Sequence, residues 1–184
     1  MTELWLDLNT AREENGSMGA DFYGYYVPYQ EDKNKALQEL RLREFEAGRY
    51  TAALIENDIY PEYGPDTSPF MDDVSDEPAP GKVHESIEDA LNDEMAQEEG
   101  TGSILDLREV SDKKEMCVAH IPTKEDMLEY FGTDKPNRKQ LEDGIWDYSD
   151  YLANLIGVRG IGFCITVFSD EQATELFFGG WSFD

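Results

Sequence analysis

The sequence is short of basic residues. Its 15 lysines and arginines stand against 41 aspartates and glutamates, which gives a formal net charge of −26 over 184 residues. A surface with this balance repels nucleic-acid phosphates and anionic membranes, and it attracts cations and basic protein surfaces. The shortage of bases therefore argues against direct nucleic-acid or membrane binding and favours a basic protein partner.

Apolar runs, targeting features and catalytic motifs are also scarce. No stretch approaches the roughly 18 consecutive apolar residues of a membrane helix. Residues 1–17 lack the basic and apolar regions of a secretory signal, so we expect a cytoplasmic protein. His84 and His120 are too few for a usual zinc site, and no phosphate loop, nucleophile elbow or calcium loop occurs. We assign no catalytic, cofactor-binding or metal-ligating residue.

Cysteine is nearly absent. Cys117 and Cys164 each lie in an apolar run typical of a strand, which predicts buried, reduced thiols and not a disulfide framework. Cys117 and His120 could suggest a nucleophile and its base. Because residues three apart on a strand point to opposite faces, we expect no direct hydrogen bond between them.

Acidic residues concentrate in one segment. From Glu56 to Glu99 there are fifteen acids and a single base, Lys82. Five prolines between residues 61 and 80 disfavour a helix or a central strand, so residues 57–83 are predicted to form a long loop. Its acids alternate with the apolar residues Tyr60, Tyr63, Phe70 and Met71. The loop is a candidate binding segment; the alternative is a mobile surface loop whose aromatics pack back on the body.

The first half of the chain predicts a strand over residues 20–29 and a following helix. Asp32 or Asn34 can cap this helix, and Gly48 ends it. One side carries a basic stripe, for which we expect local ion pairs in place of nucleic-acid contacts: Lys33, Lys35, Arg41, Arg43 and Arg49.

Three further helices are indicated by caps and by helical spacing. The second runs from Ile87 to about Ala96 behind a Ser86–Asp89 capping pair, with an acidic outer side. The third begins at Pro122 and Thr123, with Asp126 completing a capping box, and ends at Gly132. Three of its residues are expected to face the core: Met127, Leu128 and Phe131. The fourth has Pro136 in its first turn, ends at Gly157, and has this core stripe: Leu141, Ile145, Tyr148, Leu152 and Leu155.

Two β-hairpins complete the pattern. One pairs residues 103–110 with 116–121, and the other pairs 161–168 with 174–178 through a turn at Ser169 to Gln172. Trp181 and Phe183 are expected to dock against the sheet. The sequence thus predicts an α+β fold, a single domain over 18–184 with a mainly antiparallel sheet, about four helices and the long acidic Pro-rich loop.

Several short sequence motifs are similar to those of a known group of proteins. They begin with Met18-Gly-Ala-Asp-Phe-Tyr and Val27-Pro-Tyr-Gln, continue with Ser86-Ile-Glu-Asp-Ala and Glu129-Tyr-Phe-Gly-Thr, and close with Gly180-Trp-Ser-Phe-Asp. In this order they resemble an uncharacterised family of small acidic bacterial proteins. The resemblance implies no activity and no site residues. It does imply that residues 1–17 are an N-terminal extension outside the shared domain.

Three kinds of function remain. The first is an acidic protein-binding module, an inhibitor or immunity-type protein that occludes a basic toxin or nucleic-acid enzyme. The alternatives are a small carboxylate-dependent hydrolase or transferase and a non-catalytic housekeeping protein. Oligomeric state is left open. The predicted partner-binding residues come from the loop and from the second helix: Asp72, Asp73, Asp76, Glu77, Glu88, Asp89, Asp93 and Glu94.

Overall fold

The fold was taken from a computed structural model, in which residues 22–59, 70–71, 79–147 and 160–181 are described. Six strands form one sheet in the order β2-β1-β6-β5-β4-β3. The strands are β1 Phe22–Pro28, β2 Phe70–Met71, β3 Glu109–Ser111, β4 Val118–His120, β5 Gly162–Ser169 and β6 Gln172–Trp181. The helices are α1 Lys33–Ala47, α2 Thr51–Glu56, α3 Ile87–Leu91, α4 Glu94–Glu99, α5 Lys124–Phe131 and α6 Arg138–Asp147.

The sheet is mixed but mostly antiparallel. β6 pairs along its length with β1 on one side and with β5 on the other, both antiparallel. The parallel pairings of β2 with β1, of β3 with β4 and of β4 with β5 each cover only two or three residues. The predicted α+β fold with a single, mainly antiparallel domain is confirmed. The predicted extension at 1–17 lies outside the described residues.

The hairpin of β5 and β6 is confirmed, with its turn where it was expected. Asp170 and Glu171 occupy the two central positions with φ of 48° and 66°. Positive φ at both positions is typical of the type I′ hairpin turn, whose twist matches the twist of the flanking strands. Trp181 lies at the end of β6, where its ring meets Phe22 edge-on at 5.0 Å between centroids, as predicted for a docked residue.

The other predicted hairpin is wrong, because β3 and β4 run parallel. Ser103 caps a 3₁₀ turn, Ile104–Asp106, where a strand was expected. The chain then doubles back, and Cys117 adopts the left-handed region with φ of 61°. Its N–H donates to the Gly160 carbonyl, and its carbonyl accepts from Arg108 N–H, both at 2.7 Å. Cys117 therefore precedes β4 and is only partly buried, whereas Cys164 is buried in β5; both are free thiols.

The helix caps were predicted well. Asp32 caps α1, and Gly48 ends it in the left-handed conformation. Thr123 and Asp126 form a reciprocal capping box on α5, and Gly132 ends that helix. One residue of α5 was placed wrongly: Leu128 is 46 % exposed, while Met127 enters the core.

The acidic part of the chain has more elements than predicted. The helix expected over 87–96 is two helices, because Asn92 ends α3 and the Asp93 carboxylate accepts the Met95 N–H to start α4. Helix α2 was not predicted, and β2 forms a short edge strand within the expected 57–83 loop. Helix α6 begins at Arg138, after Pro136, and its predicted stripe beyond Asp147 lies outside the described residues.

Both faces of the sheet are buried. On one face, α1 packs through Leu37 and Leu40 on a cluster that includes Tyr25 and Phe178. On the other face, Met127 of α5 and Leu141 of α6 pack on a cluster that contains Tyr26, Phe163, Ile165 and Phe177. A third, smaller cluster joins α2 and α3 to the end of α1: Phe45, Tyr50, Ala53, Ala90 and Leu105. Through this cluster α3, which is rich in acidic residues, packs against α2 and the end of α1.

Within the described residues, no helix is both long enough and apolar enough to cross a membrane.

Candidate functional site

Four of the eight predicted partner-binding residues lie on α3 and α4. Glu88 and Asp89 are exposed on α3, Glu94 is exposed on α4, and Asp93 is partly buried between the two helices. Asp72, Asp73, Asp76 and Glu77 lie outside the described residues. Glu98 and Glu99 extend the exposed carboxylates along α4. We call this set of six the acidic surface: Glu88, Asp89, Asp93, Glu94, Glu98 and Glu99.

The acidic surface has no nearby bases in the sequence. Between Lys82 and Arg108 the chain contains no lysine or arginine. Among the described residues, no lysine or arginine forms an ion pair with these six carboxylates; the one partner at ion-pair distance is His84, whose Nε2 lies 3.5 Å from Asp93 Oδ2. The surface therefore keeps its negative charge facing outward.

Several acids elsewhere in the structure form ion pairs with lysines. Lys124 pairs with Asp134, Lys135 with Glu171 and Lys139 with Asp143, each at 2.6 to 2.7 Å. These three lysines thus pair with acids away from the acidic surface, on or after α5, on α6 and at the β5–β6 turn.

Most basic residues of the predicted stripe on α1 also have partners within the protein. Glu44 is fully buried and accepts from Arg49 Nε at 2.7 Å and from Arg43 Nε at 2.8 Å, which confirms local ion pairing. Arg41 is not on an exposed face as predicted: it is buried, and its guanidinium donates to the Leu105 carbonyl and to Gln38. Helix α1 presents no continuous basic stripe.

A shallow depression follows α4 along its acidic side. Its volume is about 450 Å³, and it is lined by four acids and one methionine: Asp93, Glu94, Met95, Glu98 and Glu99. A lining of one apolar residue, Met95, and four carboxylates matches a long basic side chain, whose stem is apolar and whose end is charged.

The acidic surface is anchored at the start of α4 by a chain of polar side chains. Tyr50, buried in the third cluster, accepts the Val83 N–H at 3.1 Å and lies 3.0 Å from His84 Nδ1. The two ring nitrogens of His84 thus face different partners, Nδ1 the Tyr50 hydroxyl and Nε2 the Asp93 Oδ2 at 3.5 Å. The other Asp93 oxygen caps α4. His84 thus ties the helix start to the core.

A second anchor lies just after α4. Asp106 is 1 % exposed, and its Oδ1 accepts from both the N–H and the hydroxyl of Thr101 at 2.8 Å. Thr101 in turn accepts, at its carbonyl, from the N–H and hydroxyl of Thr51 at the start of α2. Burial raises the pKa of Asp106 to about 6, although the hydrogen bonds from Thr101 and from the Ser103 backbone, and the positive charge of Arg41 on α1, oppose this.

Sequence reasoning missed both anchors. Ser103 and Asp106 have the spacing of a helix cap and its acid three residues later, a pattern that could have predicted the turn in place of a strand. Tyr50 gave no such indication, because its partner His84 is 34 residues away.

Two other titratable groups lie away from the acidic surface. Burial lowers the pKa of His120, with Lys114 acting in the same direction, and burial raises the pKa of the Cys117 thiol. Neither change favours a reactive pair. In the part of the chain that the structure describes, no group of three or more His, Cys, Asp or Glu side chains is placed to hold a metal ion.

Comparison with known proteins adds no name to this surface. No family model, no curated protein and no solved structure matches the chain. The resemblance to small acidic bacterial proteins stays a prediction, and the function must be argued from the surface itself.

Proposed function

We propose that this chain is an acidic protein-binding module, an inhibitor or immunity-type protein of the cytoplasm that occludes a basic surface on its partner. The contact surface comprises the acidic surface on α3 and α4 together with Asp72, Asp73, Asp76 and Glu77 of the acidic loop. The partner class is a basic toxin or nucleic-acid enzyme, because the charge that repels nucleic acid attracts a protein that binds nucleic acid.

One observation carries the proposal. The acidic surface contains six carboxylates on and between two short helices, and the structure pairs none of them with a described lysine or arginine, while acids of α1 and α6 have such partners. Charge intended only to keep a protein in solution has no need of this segregation. A concentrated negative field speeds association with a basic partner and selects against acidic ones.

The anchors support the same function. An interface that is already ordered loses less conformational entropy when it binds. The Tyr50–His84–Asp93 chain fixes the start of α4, and the Thr101–Asp106 contact fixes its end. The carboxylates of α4 are therefore carried by a positioned helix and not by a free tail.

The hydrolase or transferase alternative gains no support from Asp106, the one carboxyl with a strongly raised pKa among the described residues. Asp106 is 1 % exposed, and it does not line the depression on α4. A general acid must reach its substrate within hydrogen-bond distance, which the enclosed position of Asp106 prevents.

The proposal is tested by capture from lysate with matched variants. In the surface variant, four acids become amides: Glu88→Gln, Glu94→Gln, Glu98→Gln and Glu99→Gln. The control variant loses the same charge at exposed glutamates elsewhere: Glu31→Gln, Glu109→Gln, Glu115→Gln and Glu129→Gln. None of these eight residues has a helix-capping or ion-pairing contact in the described structure.

The expected result is one basic protein that binds the wild-type chain and the control variant at low salt, and that the surface variant does not retain. Its affinity for purified wild-type chain should fall with added salt, because exposed charges are screened. Equal retention of the same proteins by both variants would refute the proposed surface.

A further inference from the structure

Three buried polar atoms on the α1 side of the sheet have no hydrogen-bond partner among the described residues. They are the Tyr23 hydroxyl, Arg41 Nε and Asp106 Oδ2, and their residues are 7, 8 and 1 % exposed. Buried polar groups in folded proteins are almost always hydrogen-bonded, either within the protein or to ordered water. These three atoms therefore call for a common explanation if they lie together.

Tyr23 and Asp106 meet at one end of the sheet. The Tyr23 side chain extends over β6, where a Cβ placed on Gly180 would lie 2.6 Å from the tyrosine hydroxyl. Gly180 pairs with Gly162 of β5, and the Leu107 side chain covers Gly162. Because Asp106 directly precedes Leu107, its carboxyl lies next to the place that the Tyr23 hydroxyl reaches.

Arg41 approaches the same place from α1. Its two terminal nitrogens donate to the Leu105 carbonyl at 3.2 Å and to Gln38 at 2.8 Å, so Nε is the nitrogen left over. The charge of Asp106 acts on both Tyr23 and Arg41. The three residues are thus close together, and yet no direct hydrogen bond joins any two of the three atoms.

The three atoms complement a water molecule. Arg41 Nε can only donate, an ionised Asp106 Oδ2 can only accept, and the Tyr23 hydroxyl can do either. The other contacts of Asp106 suit the ionised form, because bonds from Thr101 and from the Ser103 backbone stabilise its negative charge. A water that accepts from Arg41, donates to Asp106 and bonds Tyr23 makes about three hydrogen bonds, the usual number for a buried water.

We propose that one buried water molecule bridges the Tyr23 hydroxyl, Arg41 Nε and Asp106 Oδ2. Polar groups that face one another beyond direct hydrogen-bond distance are commonly joined in this way. The bridge connects β1, α1 and the 3₁₀ turn behind the Thr101–Asp106 contact. It belongs to the fold of the chain and does not rest on the proposed function.

The test is NMR of water contacts in the full wild-type chain. Rotating-frame cross-relaxation from water should give a signal at the Arg41 Nε proton and at the Tyr23 ring, with the sign of dipolar contact and not of chemical exchange. In Tyr23→Phe, which removes one of the three bonds, the signal at Arg41 should lose most of its intensity because the water is held less firmly.

Tyr25→Phe is the matched control, since Tyr25 lies on the same strand and in the same buried cluster but has its own bond to the Ile104 backbone. It should leave the Arg41 signal unchanged. A wild-type chain without a dipolar water signal at Arg41 would overturn the bridge, and this measurement needs no variant to fold. Full intensity at Arg41 in Tyr23→Phe would also overturn it, because the water would then not contact the hydroxyl.

Discussion

The side chain of Asn34 hydrogen-bonds both backbone groups of Val110. Its Oδ1 accepts the Val110 N–H at 2.8 Å, and its Nδ2 donates to the Val110 carbonyl at 3.2 Å. Val110 is the centre of β3, the last strand of the sheet. A residue of α1 thus occupies the hydrogen bonds that a further strand would otherwise take, which protects an exposed edge.

We expect Asn34→Ala to lower the free energy of unfolding by about 1 to 3 kcal/mol, because it removes both partners of a partly buried backbone unit. Urea unfolding followed by circular dichroism measures this loss. Lys35→Ala, on the same helix turn and with only an exposed ion pair to Glu39, is the control and should change stability little. Equal effects of the two substitutions would contradict the role of Asn34.

Gly48→Ala should be much more destabilising than Gly132→Ala, although both glycines end helices with positive φ. The strain of a left-handed alanine costs about 1 to 2 kcal/mol at either site. At Gly48 the new methyl group would also collide with the Gly81 carbonyl, whereas at Gly132 nothing lies within 4 Å. We expect a total loss of about 3 kcal/mol or more for Gly48→Ala. Thermal unfolding of the two variants side by side measures the difference.

His120 should make the protein less stable in mild acid. Burial lowers its pKa in the folded chain below the ordinary 6.5, so the unfolded chain binds more protons as the pH falls through that value. The free energy of unfolding should therefore fall between about pH 7.5 and pH 5.5 by more in the wild type than in His120→Gln. Because Asp106 acts in the opposite direction, the difference between the two chains is the quantity to measure. Parallel pH profiles would contradict it.

The loop acids should control the rate of partner binding. Neutralising Asp72, Asp73, Asp76 and Glu77 together removes part of the field that attracts a basic partner, so association should be about tenfold slower and less dependent on salt, with the fold intact. Stopped-flow kinetics with the captured partner measures this, and the four-fold glutamate control variant corrects for net charge. An unchanged association rate would remove the loop from the interface.

The parts of the fold that were predictable from sequence depend on local bonds. The ends of α1 and the start of α5 were predicted because caps act within a few residues along the chain. The capping residues are Asp32 and Gly48 for α1, and Thr123 with Asp126 for α5. The β5–β6 hairpin was found for the same reason. The parallel pairing of β3 and β4 was not, because it depends on the left-handed Cys117 and its bond to the distant Gly160.

The candidate surface was likewise predicted only in part. Its exposed acids could be read from composition and helical spacing, whereas the contacts that hold it could not. Asp106 was hidden in a segment with apolar residues on both sides, and Tyr50 meets His84 only because α2 packs against the segment before α3. One of the predicted residues, Asp93, also serves as a helix cap, a role that its charge did not reveal.

The third cluster, with Tyr50, Ala53 and Ala90, has a consequence for how such a protein can diversify. It carries α2 and α3 beside the two clusters that bury the sheet, so the charged exterior and the folding core occupy separate neighbourhoods of the chain. Under the proposed function, exchange of residues on α3 and α4 can therefore redirect recognition to a new target while the sheet keeps its sequence.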